Sequence, residues 1–314
     1  IVRHAPADRD AQRNLGRALS WSGRQREAAA HLSAYLAAAG EDEEARRLLA
    51  QAQAWMGRTD LALGTLASAA IAHDDSRRLQ EDLSDIRRPR TRVGTERSSQ
   101  SDQLDIETWR LSHEVALADG RGMAGIRLER VRFERPDGSD SAVLERPMLL
   151  GRYRFDDAVE INAEVGQDRI DARNAQVTQP LVYATWLTVW PNDLLRFDLS
   201  ASQSTFDNLR SLQLGLTARQ VGLSMDFTPD ERQRYNLKAE EGDYSDGNRR
   251  HFAQAAAEWR LAQAPVAVWA GLRHTRFPFA QQLNNGYFNP MRFASSQLTL
   301  RAHWRPGGES GRWD

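Results

Sequence analysis

From residue 159 onward, apolar and polar side chains alternate with a period of two in segment after segment. A strand points successive side chains to opposite faces, so this pattern dictates sheets with one apolar and one polar face. Val159, Ile161, Ala163 and Val165 share one face, and Glu160, Asn162 and Glu164 the other. Leu195, Phe197, Leu199 and Ala201 oppose Arg196, Asp198, Ser200 and Ser202. Val221, Leu223, Met225 and Phe227 oppose Gly222, Ser224 and Asp226, and Tyr235, Leu237 and Ala239 oppose Asn236, Lys238 and Glu240. Ala253, Ala255, Ala257, Trp259 and Leu261 oppose Gln254, Glu258 and Arg260, while Leu298, Leu300, Ala302 and Trp304 oppose Thr299, Arg301 and His303. Further strands are predicted around 105–118, 123–135, 143–155, 182–190, 210–218 and 265–276, which makes roughly twelve. Near 126–133 the phase slips, from Ile126 and Leu128 to Val131 and Phe133. That slip predicts a β-bulge or a shifted register.

Two architectures bury such strands. In a sandwich the apolar faces meet each other, and in a transmembrane barrel they meet lipid while the polar faces line a lumen. The 314 residues contain no run of about 20 apolar residues, which excludes a transmembrane helix but not a barrel. Three features favour the barrel. Many strands have the roughly 9–11 residues that cross a bilayer at a tilt. The apolar faces are mostly Leu, Ala and Val, which lipid tolerates. Trp186, Trp190, Trp259, Trp269 and Trp304 lie toward strand ends, where an aromatic girdle would sit.

Residues 1–88 differ in character, being rich in Ala, Arg and Leu with a single proline, Pro6. Trp21-Ser22-Gly23-Arg24 recurs 34 residues later as Trp55-Met56-Gly57-Arg58. Leu15, Ala18, Ala28 and Leu32 recur at the same spacing as Leu49, Ala52, Ala62 and Leu66. A 34-residue helical period is the tetratricopeptide signature. Small residues (Gly16, Ala50) allow close helix crossing, and Gly23 and Gly57 suit left-handed C-caps. Helices are predicted over 10–22, 25–38, 42–56, 59–72 and 75–86, with Trp21 and Trp55 packed between them. The chain divides into two repeats plus a capping helix (1–88), a polar, basic linker (89–103) and an antiparallel β-barrel (104–314). The fold class is thus α + β multidomain, an α-solenoid followed by a barrel.

Repeats of this kind leading directly into an alternating antiparallel sheet resemble the outer-membrane exopolysaccharide secretins of Gram-negative bacteria. The poly-β-1,6-N-acetylglucosamine export porins share this plan, as do cellulose and Pel export subunits. Tyr244-Ser-Asp-Gly-Asn-Arg-Arg250 and Gly286-Tyr-Phe-Asn-Pro290 carry local resemblance. Such porins have more strands than the roughly twelve found here, so the chain is expected to be a fragment, open at both ends. The resemblance implies a bacterial outer-membrane pore with a periplasmic helical arm and no cofactor. Its partners would be an exopolysaccharide, outer-membrane lipid and a periplasmic protein. Pore-lining candidates are Glu160, Glu164, Arg196, Asp198, Asp226, Lys238, Glu240, Glu258, Arg260 and Arg301. Phe252 and Tyr287 are candidates for stacking on sugar rings. The helix A face of the repeats would carry Asp10, Arg13, Arg17, Glu44, Arg47 and Gln51 toward a partner.

No enzyme motif is present. The seven histidines form no HExxH, and there is no GxSxG or phosphate-binding glycine loop. Cysteine is absent, so a Cys nucleophile or Cys-ligated metal is excluded. The net charge of −1 gives no basic field for nucleic acid. The competing readings are a soluble repeat-bearing adaptor with a β-sandwich and a different outer-membrane barrel.

Overall fold

The computed structural model describes residues 8–68, 73–100, 104–263 and 266–304. Five helices come first: α1 (Arg9–Trp21), α2 (Gln25–Ala39), α3 (Glu43–Trp55), α4 (Thr59–Ala67) and α5 (Asp74–Ile86). Asp8 and Asp42 accept the amides of Ala11 and Ala45, capping α1 and α3. Gly23 and Gly57 hold φ of 83° and 75°, the left-handed geometry that ends a helix without a Cβ penalty. Consecutive helices pack on each other, and α1 also touches α3 and α3 touches α5. Ala28, Leu32, Ala45, Leu49 and Ala52 form one core, and Ala50, Ala62, Leu66 and Leu83 a second. The end of the predicted fourth helix, 69–72, lies outside the described residues.

The close crossing of α1 and α2 rests on Gly16. A Cβ there would stand 2.5 Å from Cδ2 of Leu32, which is fully buried. Gly16→Val should therefore overpack the crossing, at a cost of about 1–3 kcal/mol. The helical melt of the full chain, followed by circular dichroism, should fall by roughly 5 °C or more. An unchanged melt would mean that the helices do not approach so closely.

The rest is one antiparallel sheet. Its strands are β1 (Arg90–Ser99), β2 (Asp105–Leu117), β3 (Gly122–Glu134), β4 (Ser141–Arg154), β5 (Val159–Gln167), β6 (Arg169–Ala172), β7 (Leu181–Asn192) and β8 (Leu195–Thr205). After a short helix, α6 (Leu209–Gln213), follow β9 (Thr217–Asp230), β10 (Gln233–Tyr244), β11 (Arg249–Ala262), β12 (Val266–Arg276) and β13 (Ala294–Trp304). Each strand pairs with its neighbour in sequence, except that β5 pairs β7 while β6 pairs β4. Among the described residues the end strands β1 and β13 do not pair with each other. At Pro147 the partner of β4 changes from β5 to β6, where a proline costs no ladder donor.

Several expectations are corrected. The stretch read as a linker contains β1, paired along its length with β2. Its residues are all exposed and polar but for Val93 and Gly94, so backbone pairing rather than alternation defines it. The segment 210–218 is not one strand: Asn208 caps α6 by accepting the amide of Ser211, and β9 begins only at Thr217. The phase slip in β3 is neither a bulge nor a shifted register. Its pairing to both neighbours is continuous from Gly122 to Glu134. Ile126 and Leu128 face outward, whereas Val131 and Phe133 face inward into a core with Leu144, Ile170, Ala172, Leu209 and Leu212. The sandwich is overturned as well, because the described strands make a single sheet and not two packed ones.

Trp21 and Trp55 are not packed between helices but stand 74% and 54% exposed. Their positions at the C-terminal ends of α1 and α3 leave the core filled by smaller residues. The tryptophan girdle divides in two. The pairing puts Trp259 and Trp304 on the apolar outer face with Leu237 and Leu300, but Trp186, Trp190 and Trp269 on the opposite face. On the outer face Phe227, Tyr235 and Trp259 form a ring chain with centroids 6.1 and 6.3 Å apart.

Candidate functional site: the inner face of the sheet

Register decides which side chains share the inner face. Glu160 pairs Thr188, which pairs Asp198, which pairs Ser224, which pairs Lys238. These residues lie side by side across five strands, on the face that lines a cavity of about 1070 Å³. Of the ten sequence candidates, Glu160, Glu164, Arg196, Asp198, Lys238 and Glu240 line this cavity. Asp226, Glu258, Arg260 and Arg301 share the same face beyond it. On the outer side Leu149, Ile161, Val221, Leu223, Leu237, Leu272, Leu298 and Leu300 are all exposed. An apolar surface of that extent has no place in water.

The inner carboxylates are closed onto cations. Arg154 holds Glu160 at 2.8 Å, Arg127 holds Glu164 at 2.7 Å and Arg196 holds Asp198 at 2.9 Å. Glu240 lies between Lys238 at 2.6 Å and Arg250 at 3.1 Å, and Arg301 holds Glu258 at 2.9 Å. Arg260 instead reaches Glu231 at 3.0 Å, and Asp226 accepts from Asn236 at 2.8 Å. Arg127 and Arg154 escaped the sequence analysis, since neither stands in a cleanly alternating run. Their cue was only that they flank apolar residues of opposite phase.

The helices sit at one end of this face. The backbone amides of Arg26 and Glu27, opening α2, donate to the Asp193 carboxylate in the β7–β8 turn. Arg26 also pairs with Asp193 at 3.1 Å. Arg58 bridges Asp60 and Asp157, both at 2.8 Å, the latter in the β4–β5 turn. Hydrogen bonding to Asp60 leads the effects that raise the Arg58 pKa, against the opposing influence of burial. The Arg154 guanidinium donates to the Met56 carbonyl and lies 4.4 Å from the centroid of Trp190. Ala54, Gly57, Thr59 and Ile86 line the cavity, so it extends from the sheet to the helices.

Four of the expected partner-binding residues are tied into an ion-pair network. Arg13 pairs with Asp10, with Glu44 at 3.3 Å and with Asp42 at 3.6 Å, and Arg17 pairs with Glu44. Burial opposes ionisation of Asp42, but hydrogen bonds from the Ala45 amide and the Tyr35 hydroxyl, with the Arg13 charge, hold its pKa below the usual carboxylate range. Arg47 and Gln51 make no side-chain contact of this kind among the described residues.

The far end of the sheet is covered from within. α6 packs against β4 and β6. The loop 277–293 folds back so that Tyr287 stacks on Phe206 and Tyr244, with centroids 4.9 and 5.2 Å away. Tyr287 is therefore committed to a packed cluster. Phe252 is on the inner face, with Lys238 5.5 Å and Arg250 5.7 Å from its ring centroid. Among the described residues no group of three His, Asp or Glu could hold a metal ion.

Residues 98–305 match the family model of the PgaA membrane beta barrel domain. The chain belongs to that family. Among solved structures, a bacterial polysaccharide outer membrane secretin aligns with a TM-score of 0.51 at 14% identity, over 70% of this chain and 73% of that one. The likeness is one of fold. The FrpB iron transporter of Neisseria meningitidis aligns at 0.43 and 10% identity, over 56% of this chain and 37% of that one. A FadL homologue of Pseudomonas aeruginosa aligns at 0.36 and 11%, over 68% and 71%. No curated protein sequence matches the chain.

Proposed function

We propose that this PgaA-family barrel exports an exopolysaccharide, of the poly-N-acetylglucosamine type, across a bacterial outer membrane. The observation that carries this reading is the two-sidedness of the sheet: an exposed apolar outer face and an inner face lined by paired charges around a wide cavity. A barrel of that polarity belongs in a bilayer with a wet lumen. The family assignment and the secretin likeness point to the same membrane. On this reading the five helices are tetratricopeptide repeats on the periplasmic side. The ties through Arg26, Arg58 and Arg154 hold the start of α2 and the turn between α3 and α4 beside the pore entrance. Arg47 and Gln51 would there meet the polymer or a modifying enzyme. A dedicated exporter performs no covalent step, and its residues only bind, exclude and guide.

The test is localisation of the full-length gene product in a Gram-negative host, followed by export. The protein is expected in the outer membrane, resistant to a urea wash and shifting in electrophoretic mobility on heating. In a strain lacking its own exporter it should restore surface polymer. A protein that washes off would overturn the reading. One that stays in the membrane but passes only small solutes would support a different outer-membrane barrel.

A further inference from the structure

The outer face stops being apolar before its strands end. Register sets out three rows on it, climbing toward the β3–β4 turn and away from the helices. The first is Val93, Leu111, Leu128 and Pro147. The second is Thr95, Trp109, Arg130, Glu145 and Arg169. The third is Arg97, Glu107, Arg132, Val143 and Asp171. Trp109, 52% exposed, stands where the apolar row gives way to charge, the place an aromatic side chain takes at a membrane–water interface. Its indole N–H donates to Glu107 at 3.0 Å, which fixes the ring. At this border lies a cleft of about 430 Å³, walled by Trp109, Leu111, Leu128 and Pro147 and rimmed by Arg130 and Glu145. An apolar cleft that opens onto a bilayer takes up hydrocarbon.

The second row indicates the headgroup. Arg130 and Arg169 share one carboxylate, Glu145, at 3.9 and 3.4 Å. Both distances are long for a charge-assisted hydrogen bond, so neither guanidinium is closed onto its partner. This row carries one positive charge in excess. In the third row Arg97 and Arg132 balance Glu107 and Asp171. Arg132 reaches on to Glu134 at 2.8 Å and Arg97 to Asp105 at 3.8 Å, where the face turns acidic. The cation excess is thus confined to the mouth of the cleft, the level at which a lipid's phosphate sits above its chains. On β10 and β11 the ratio is reversed, because Arg249 lies between Asp243 at 3.0 Å and Glu241 at 4.0 Å. The side chains of Arg130 and Arg169 are 63% and 54% exposed, and guanidinium forks match phosphate oxygens.

We infer that this corner of the barrel binds a phosphorylated lipid of the outer leaflet, with an acyl chain in the Trp109–Pro147 cleft and a phosphate on Arg130 and Arg169. The inference rests on the outer-membrane reading but not on what the barrel exports. The test is native mass spectrometry of the full chain in neutral detergent, with a chelator present so that no divalent cation bridges lipid to carboxylate. The probes are lipid A bearing two phosphates, the same lipid A dephosphorylated with its acyl chains intact, and inorganic phosphate. The wild type should hold the phosphorylated lipid about tenfold more tightly than the dephosphorylated one. Replacing both arginines, Arg130→Gln with Arg169→Gln, should abolish that difference and leave the dephosphorylated lipid bound as before. Leu128→Trp, which fills the cleft, should weaken both lipids. Heat-shifted electrophoretic mobility reports that each variant is folded. Equal retention of the two lipids by the wild type overturns the headgroup assignment. A preference that survives the double substitution overturns the site. Displacement of the lipid by inorganic phosphate alone overturns the lipid as occupant. Each of these failures leaves the export reading standing, since urea washing and polymer export test that reading separately.

Discussion

Asp168→Ala is expected to lower the stability of the folded barrel by about 3–5 kcal/mol, the cost of stranding a buried charge. Asp168 is fully buried between β5 and β6, opposite the point where β4 changes partner. Arg146 donates to both its oxygens at 2.7 Å, and Thr205 donates to it at 2.6 Å. A fork of this kind satisfies the carboxylate in a fixed geometry. With Asp168 gone, Arg146 keeps Thr205 at 2.8 Å and Glu129 at 3.5 Å, too little to replace a bidentate partner. Three strands meet here, so the loss is transmitted to the register of β4 against both β5 and β6. The temperature at which the compact electrophoretic band converts to the unfolded one should fall on the order of 10 °C. Replacing both partners with apolar residues of similar volume should recover most of that loss, since the desolvation of two charges then disappears. An Asp168→Ala barrel that melts with the wild type would show that the pair contributes nothing.

Much of this fold was legible in the chain because lipid and water impose a period of two. Where one face meets a uniform solvent, as in β5, β8, β9, β10 and β11, alternation alone places the strands and their inner residues. It fails where the environment changes along a strand. In β3 the outer face is apolar at Ile126 and Leu128, while Val131 and Phe133 are apolar because an inner core begins there. In β1 neither face is apolar, so only pairing with β2 betrays the strand. In β7 an apolar residue lies at nearly every position from Leu181 to Trp190, and no alternation says which face Trp186 and Trp190 occupy. The repeat spacing located α1 to α4, but exposure of Trp21 and Trp55 depends on where neighbouring helices stop. Partners such as Arg127 for Glu164 and Arg146 for Asp168 lie 37 and 22 residues apart. Such pairings follow from strand order, which periodicity does not encode.

Tyr287→Ala is expected to release the loop 277–293 from the inner face and to raise channel conductance. The loop is held by several independent ties. Tyr287 stacks within the Phe206–Tyr244–Phe279 cluster, and its hydroxyl donates to Asp246 at 2.7 Å. Asn285 donates to the same carboxylate at 2.9 Å, and Ser211 of α6 donates to the Asn285 carbonyl at 2.7 Å. Truncating a packed aromatic ring costs about 3–5 kcal/mol. Amides of the loop should then exchange at least about a hundredfold faster, because their opening is local. Tyr287→Phe keeps the stack and loses one hydrogen bond, so its effect should be about 0.5–1.5 kcal/mol. Acid should act on the same latch. Burial works against the Asp246 charge, but hydrogen bonds from Asn285, Tyr287 and the Asn248 amide outweigh it and hold its pKa below the usual range. A carboxyl whose folded value is depressed stabilises the latch above the ordinary carboxylate pKa, near 4, and loses that stabilisation as pH falls through the folded value. Burial and the bond to Asp246 push Tyr287 up to about 12. Its neutral hydroxyl therefore supports the latch below about pH 10, the ordinary tyrosine value, and that support is lost as pH rises toward 12. Wild-type conductance should then be flat between about pH 4 and 10 and rise outside that window. Asp246→Asn should remove the acid limb, since an amide does not titrate there, and should shrink the alkaline limb, since the Asp246 carboxylate is one cause of the raised Tyr287 value. Conductance that ignores Tyr287→Ala across the whole range would mean that the loop does not obstruct the lumen.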